Sequence, residues 1–165
     1  MTATTKGTAK VTLPADNQIL VTREFNAPKR LVWRAYTTPE LVKRWWAGDL
    51  GNVTIAEIDL RVGGKWRYVS TTDEGYEVAF RGEYREVSAP DRLVNTEIFE
   101  GIPDPDDHAG LITVTFTERD GITHMDMLCE YVDQADRDAL VNSGMETGLQ
   151  DSLDALEAVA ASIED

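Results

Sequence analysis

The chain has 165 residues, with 30 acidic against 16 basic side chains, a net charge of −14 and one cysteine. Its length is that of one ordinary domain, and a single thiol excludes an internal disulfide framework and zinc sites built on paired cysteines. The acidic excess makes nucleic acid and anionic membranes poor partners. Because no apolar run reaches the ~20 residues of a membrane span and no signal-peptide core is present, we expect a cytoplasmic protein without a membrane partner.

The order of elements along the chain predicts an α+β fold. We expect residues 1–15 to form an extension, either loose or a short edge strand at 11–13, and residues 16–165 to form a single domain. Alternation of apolar and polar side chains between turn residues predicts further strands at 18–25, 53–60, 65–71, 76–87, 92–99, 111–118 and 123–131. Short turns join most of these strands, which favours an antiparallel meander.

Two short helices are expected between the strands at 18–25 and 53–60. Asn26 can cap the first helix, and Pro28 suits its first turn. The second should end at Trp45 and Trp46. Because adjacent tryptophans at a helix end cannot both point inward, we expect one to pack inside and the other to line a cavity mouth or a partner surface.

The C-terminal segment predicts a helix from about 133 or 136 to about 163. Its apolar stripe is formed by Met145, Leu149, Leu153, Leu156, Ala160 and Ile163. Small residues recur every four positions beside this stripe, at Gly144, Gly148 and Ser152. Glycine is unfavourable inside a helix, so either the helix lies close to a neighbour or Gly144 divides it in two.

Five local motifs follow one another along most of the chain, at 23–28 with 33–35, 39–46, 59–66, 82–93 and 144–154. In this order they resemble the START-like, helix-grip superfamily, and within it the branch similar to the activator of the heat-shock chaperone ATPase. The resemblance implies a curved antiparallel sheet wrapped around a long C-terminal helix, with a cavity between them. The superfamily includes lipid carriers, hormone receptors, polyketide cyclases and chaperone activators, so the resemblance does not fix one function.

Strand alternation indicates which side chains face such a cavity. The inward set is aromatic and sulfur-rich, which is typical of apolar ligand pockets, but an aromatic stripe under a helix is also typical of a close-packed core. The candidate ligand-binding residues are Trp33, Trp45, Trp66, Tyr68, Phe80, Tyr84, Glu97, Phe116, Met127, Met145, Gly148 and Leu149.

No catalytic or metal-binding motif stands out, so catalytic residues are left unassigned. Cys129 and His124 face opposite sides of their strand and cannot form a thiolate pair. Asp104, Asp106 and Asp107 offer oxygen ligands, but their loop lacks the glycine turn and the terminal glutamate of a calcium loop. We therefore expect no metal and no cofactor.

Glu97 has two interpretations: a buried carboxyl with a raised pKa that exchanges a proton, or a surface group paired with an arginine of a neighbouring strand. Three functions stay open. The preferred one is non-catalytic binding of an apolar small molecule in the aromatic cavity. The alternatives are an enzyme of polyketide cyclase or hydrolase type that uses the same cavity, and a chaperone-associated stress protein that acts through a surface. A homodimer is also left open.

Overall fold

A computed structural model describes residues 7–48 and 51–163; the predicted loose segment therefore lies partly outside the described residues. Eight strands form one antiparallel sheet in the order β1-β2-β8-β7-β6-β5-β4-β3. The strands are β1 (Lys10–Thr12), β2 (Gln18–Phe25), β3 (Gly51–Ile58), β4 (Lys65–Thr72), β5 (Glu77–Ser88), β6 (Arg92–Phe99), β7 (Gly110–Arg119) and β8 (Ile122–Glu130). The helices are α1 (Lys29–Thr37), α2 (Pro39–Val42), α3 (Gln134–Val141) and α4 (Met145–Ser162), and Pro105–His108 forms one 3-10 turn.

The topology is the predicted one. Strands β3 to β8 follow one another as a meander, and β2 returns to pair with β8. Every predicted strand is present within two residues of its expected bounds. The largest difference is at β3, which ends at Ile58 because the Asp59 N–H bonds the Lys65 carbonyl at 3.0 Å and closes the turn. The α+β helix-grip fold, a curved open sheet that carries a C-terminal helix, is thereby confirmed.

The helix cap predicted at Asn26 is not formed. The residue before α1 is Pro28, and no side chain caps this helix. The Asn26 N–H instead donates to the Glu157 carboxylate of α4 at 2.8 Å, so this residue ties the β2–α1 corner to the last helix. The second helix is shorter than expected, since α2 ends at Val42 and turns carry the chain to Gly48.

The C-terminal segment is two helices rather than one. Gly144 has φ +83°, a left-handed conformation that interrupts the helical hydrogen bonding and separates α3 from α4. Of the two interpretations of the glycine spacing, division at Gly144 is the one confirmed. Asp133 caps α3 by accepting a hydrogen bond from the Asp136 N–H at 2.9 Å.

Helix α4 is held on the sheet by an apolar and an ionic contact. Leu153 and Leu156 are fully buried in the core. Beside them the Arg23 guanidinium of β2, whose side chain is wholly inaccessible to solvent, pairs with Asp154 and Glu157 of α4 at 2.5 and 3.5 Å. The other end of the helix, at Met145 and Leu149, is only half-buried, which leaves space beneath it. None of the described helices is long and apolar enough to cross a bilayer.

Candidate functional site

A cavity of about 260 Å³ lies between the sheet and the helices α3 and α4. Its volume is slightly below the ~300 Å³ at which ligand pockets commonly begin. All the candidate residues except Trp33 and Phe116 line it: Trp45, Trp66, Tyr68, Phe80, Tyr84, Glu97, Met127, Met145, Gly148 and Leu149. The helical wall comes from both sides of the Gly144 corner, with Leu140 from α3 and Met145 from α4.

Trp33 of α1 and Phe116 of β7 are not part of the cavity wall; they pack against each other in the core between α1 and the sheet. Their rings meet edge to face at 6.3 Å, and both side chains are buried. Tyr36, one turn after Trp33, contacts Phe116 at 5.9 Å and does line the cavity. Strand alternation placed Phe116 on the correct face, but α1 covers that part of the face and fills the space above it.

Trp45 and Trp46 both line the cavity, but Trp45 is buried, at 3% exposure, whereas Trp46 is only half-buried. They lie on the turns after α2 rather than at a helix end. The Trp45 indole N–H donates to the Ala35 carbonyl at 2.9 Å. The Trp46 ring contacts Tyr68 at 4.8 Å and Phe80 at 5.8 Å between centroids, which makes it the centre of the aromatic cluster.

A hydrogen bond that crosses strand β5 fixes the position of Trp66. Its indole N–H donates to the Thr96 carbonyl of β6 at 3.1 Å, across the intervening strand β5. The residue between them is Gly82, where a Cβ atom would lie 1.9 Å from the Thr96 oxygen and 2.6 Å from the indole nitrogen. Only glycine allows this contact, and it holds the Trp66 ring as a wall of the cavity.

One face of β6 supplies the polar part of the wall. Leu93, Asn95 and Glu97 alternate along the strand and line the cavity. Burial raises the pKa of the Glu97 carboxyl from 4.5 to about 7. Within the described residues Glu97 forms no side-chain hydrogen bond or ion pair. Glu97 is half-buried and faces the cavity, and the arginine pair of the surface interpretation is not formed among the described residues. The acid that forms such a pair is Glu100, directly after β6, which is bound to Arg67 at 2.8 and 3.0 Å.

Four further titratable groups surround Glu97 and stay neutral. Burial, and then the charge of Glu97, raises the pKa of Cys129 to about 12, so its thiol is not a nucleophile at neutral pH. Burial and the same charge raise the pKa values of Tyr36, Tyr68 and Tyr131. Side-chain hydrogen bonding couples the pKa of Tyr131 to Cys129 and that of Tyr68 to Tyr84. The site is thus one carboxyl among aromatic rings.

Comparison with known proteins decides the family. Residues 26–161 match the family described as Activator of Hsp90 ATPase homolog 1-like protein. The chain belongs to this family. No curated protein matches it.

Solved structures of other proteins share the fold of this chain. A Rhodobacter sphaeroides protein superposes with a TM-score of 0.85 at 23% identity, covering 94% of this chain and 99% of its own. Protein Ms6760 of Mycobacterium smegmatis gives 0.81 at 24% identity, covering 94% and 98%. Protein CV1439 of Chromobacterium violaceum gives 0.74 at 26% identity, covering 87% and 96%. These likenesses concern the fold and leave the ligand to be argued from the cavity.

Sequence reasoning missed several wall residues of this Activator of Hsp90 ATPase homolog 1-like domain. Tyr36 and Tyr131 line the cavity without having been candidates. Tyr36 could have been found from its position one helical turn after Trp33. Tyr131 follows Met127 and Cys129 at the same two-residue spacing, so the alternation of β8 carried its signal. For Trp45 and Trp46 the sequence left open which of the two lines the cavity, because a turn imposes no fixed period.

Proposed function

We propose that the protein binds an apolar small molecule in this cavity and does not catalyse its conversion. The observation that supports the proposal is the aromatic cavity of about 260 Å³ next to a helix that is otherwise well packed. The cavity is partly open, so water reaches its aromatic wall. An apolar molecule that displaces this water gains roughly 25 cal/mol for each Å² of apolar surface that it buries.

The second candidate is an enzyme of cyclase or hydrolase type with Glu97 as its acid or base. One observation favours it: a pKa of about 7 suits proton transfer at neutral pH. A reaction also needs a nucleophile or a group that stabilises developing charge. The raised pKa of Cys129 removes the only thiol of the chain from that role, and no basic side chain lies among the described residues of the cavity wall. Binding therefore remains the better-supported function.

A chaperone-associated role would need an exposed partner surface. One of Trp45 and Trp46 was expected to line either a cavity mouth or such a surface, and both line the cavity. Their hydrophobic area is thus in contact with other aromatic rings, as at the 5.8 Å contact between the two indoles. This placement favours the ligand cavity over a tryptophan-based partner surface.

Nile red, an uncharged dye whose emission depends on its surroundings, tests the proposal directly. We expect it to bind the folded protein, quench tryptophan emission and raise the melting temperature, since ligand binding stabilises the native state. Gly148 lies on the wall, so Gly148→Leu should fill the space and abolish dye binding. Ala158→Leu adds a similar side chain on the exposed face of α4 and should leave binding unchanged.

The proposal fails if Nile red does not bind the wild-type protein, or if Gly148→Leu binds it as tightly as Ala158→Leu does. Circular dichroism of both variants separates loss of the cavity from loss of the fold. Should Gly148→Leu unfold, Gly148→Ala adds a single methyl group to the same wall and is the substitution to measure.

A further inference from the structure

The charged group among the described residues of the cavity wall is an acid. Among the described residues of its wall, Glu97 contributes the only carboxyl, and no lysine, arginine or histidine lies there to balance it. An anionic ligand would therefore meet a like charge without a counter-charge. A cationic ligand would meet a carboxylate that has no ion-pair partner of its own among the described residues.

Several hydrogen-bond donors of the wall are already used within the protein: the indoles of Trp45 and Trp66 bond backbone carbonyls, and the Ser152 hydroxyl bonds the carbonyls of Trp45 and Trp46. The Asn95 amide likewise donates to the Thr96 carbonyl at 3.0 Å. Among the described wall residues Glu97 is the group that can carry a charge at neutral pH, and as a carboxylate it only accepts hydrogen bonds. The partner that satisfies this charge is a donor that a ligand would bring.

Aromatic faces surround the place where that donor would sit. Tyr36, Tyr68 and Tyr131 lie close enough to Glu97 for its charge to raise the pKa of each hydroxyl. Trp66 and Tyr68 pack with ring centroids 4.8 Å apart and continue this wall. Aromatic faces attract ammonium groups within about 6 Å of the ring centre, and the attraction is largest where water is excluded.

We propose that the ligand is a cationic amine with an apolar body, its ammonium group placed against Glu97 and its body among the aromatic rings. This inference rests on the proposed function and adds the chemical class of the ligand. The net charge of −14 acts in the same direction, because an acidic protein raises the local concentration of cations at its surface.

The pH dependence of cation binding follows from the titration of the Glu97 carboxyl. The groups facing Glu97 are Tyr36 from α1, Tyr68 from β4, Asn95 from β6, and Cys129 and Tyr131 from β8 and the residue after it. All are neutral between pH 5 and 9, so among the described groups of the cavity wall only the Glu97 carboxyl, with its pKa of about 7, changes charge in that range. The affinity for a cation is therefore full above pH 7 and decreases by up to tenfold per pH unit below it.

Three probes of matched shape test the charge preference: 2-naphthylmethylammonium, 2-naphthylmethanol and 2-naphthoate, titrated calorimetrically at pH 8. We expect the ammonium compound to bind about ten- to a hundredfold more tightly than the alcohol, since charge-assisted bonds are the stronger ones. The carboxylate should bind most weakly. Glu97→Gln should remove the advantage of the ammonium compound over the alcohol. Glu74→Gln, which removes one charge from the exposed β4–β5 turn, should preserve it.

Wild-type protein gives an independent readout that needs no variant. A 2-naphthylmethyl-trimethylammonium salt keeps its charge at every pH, so its affinity should fall at least tenfold between pH 8 and pH 5.5, while that of the alcohol stays constant. Equal or tighter binding of the alcohol or the carboxylate, or an ammonium preference that survives Glu97→Gln, overturns the inference and leaves the proposed function standing. If none of the naphthyl probes binds while Nile red does, the inference is overturned and the proposed function stands; if Nile red fails as well, both are overturned.

Discussion

Replacing Glu97 with glutamine removes a carboxyl whose ionisation the folded protein disfavours. In the folded state its pKa is about 7 against an ordinary value of 4.5. Since one pKa unit corresponds to 1.36 kcal/mol, ionisation of Glu97 costs the native state up to about 3 kcal/mol. Glutamine fits the same space without that charge. The variant should therefore be more stable than the wild type at pH 8, by up to about 3 kcal/mol.

The sign and the pH window of this effect follow from proton linkage. Between pH 4.5 and 7 the unfolded chain has lost the Glu97 proton while the folded protein retains it, so this residue makes wild-type stability fall as the pH rises. Below pH 4.5 both states are protonated and the contribution vanishes; above pH 7 it is constant. The stability difference between Glu97→Gln and the wild type should accordingly increase from pH 4.5 to pH 7 and then level off.

Urea unfolding at half-unit pH intervals from 4.5 to 8.5 measures this difference, with tryptophan emission as the signal. Other groups titrate in the same range, but they do so in both proteins and cancel in the comparison. Glu74→Gln, on an exposed turn, serves as the control and should run parallel to the wild type. If Glu97→Gln also runs parallel to the wild type, Glu97 is hydrated and ionises normally, and the buried carboxyl is refuted.

Three further predictions concern packing, the ion pair under α4 and the surface charge. Leu153→Ala should lower the free energy of unfolding by about 2–5 kcal/mol in a denaturant titration, because Leu153 is 1% exposed; an unchanged midpoint would show an exposed stripe. Arg23→Ala should cost about 3 kcal/mol, whereas Arg61→Ala, which breaks the exposed pair with Asp59, should cost under about 1 kcal/mol; equal losses would contradict the burial of Arg23. Fluorescence anisotropy at low salt should show no micromolar duplex binding by a chain of charge −14.

The strands were predictable from the sequence because their periodicity is local. Each side chain of a strand alternates between two faces, so Trp66, Tyr68 and Tyr84 could be assigned to the inner face without any knowledge of the partners. The turns between strands carry their own residue signals, which fixed the bounds within two residues. Local patterns of this kind do not depend on how the rest of the chain packs.

The features that the sequence did not predict depend on packing across the fold. Phe116 alternates like a cavity residue, but α1 covers it through Trp33. Asn26 has the chemistry of a helix cap, yet its N–H is taken by Glu157 more than a hundred residues away. Glu97 could not be told from a surface acid, because its strand pairs on both sides and Glu100, directly after the strand, is paired with Arg67 at the surface.

The contact at Gly82 limits how relatives of this chain can diverge. Any side chain at this position would collide with the Thr96 carbonyl at 1.9 Å and with the Trp66 indole at 2.6 Å. The tryptophan and the glycine should therefore be inherited together, and a chain that gains a side chain at position 82 should have lost the indole at position 66. Such a paired replacement, visible in sequence alone, would mark the relatives whose cavity has a different wall and hence a different ligand.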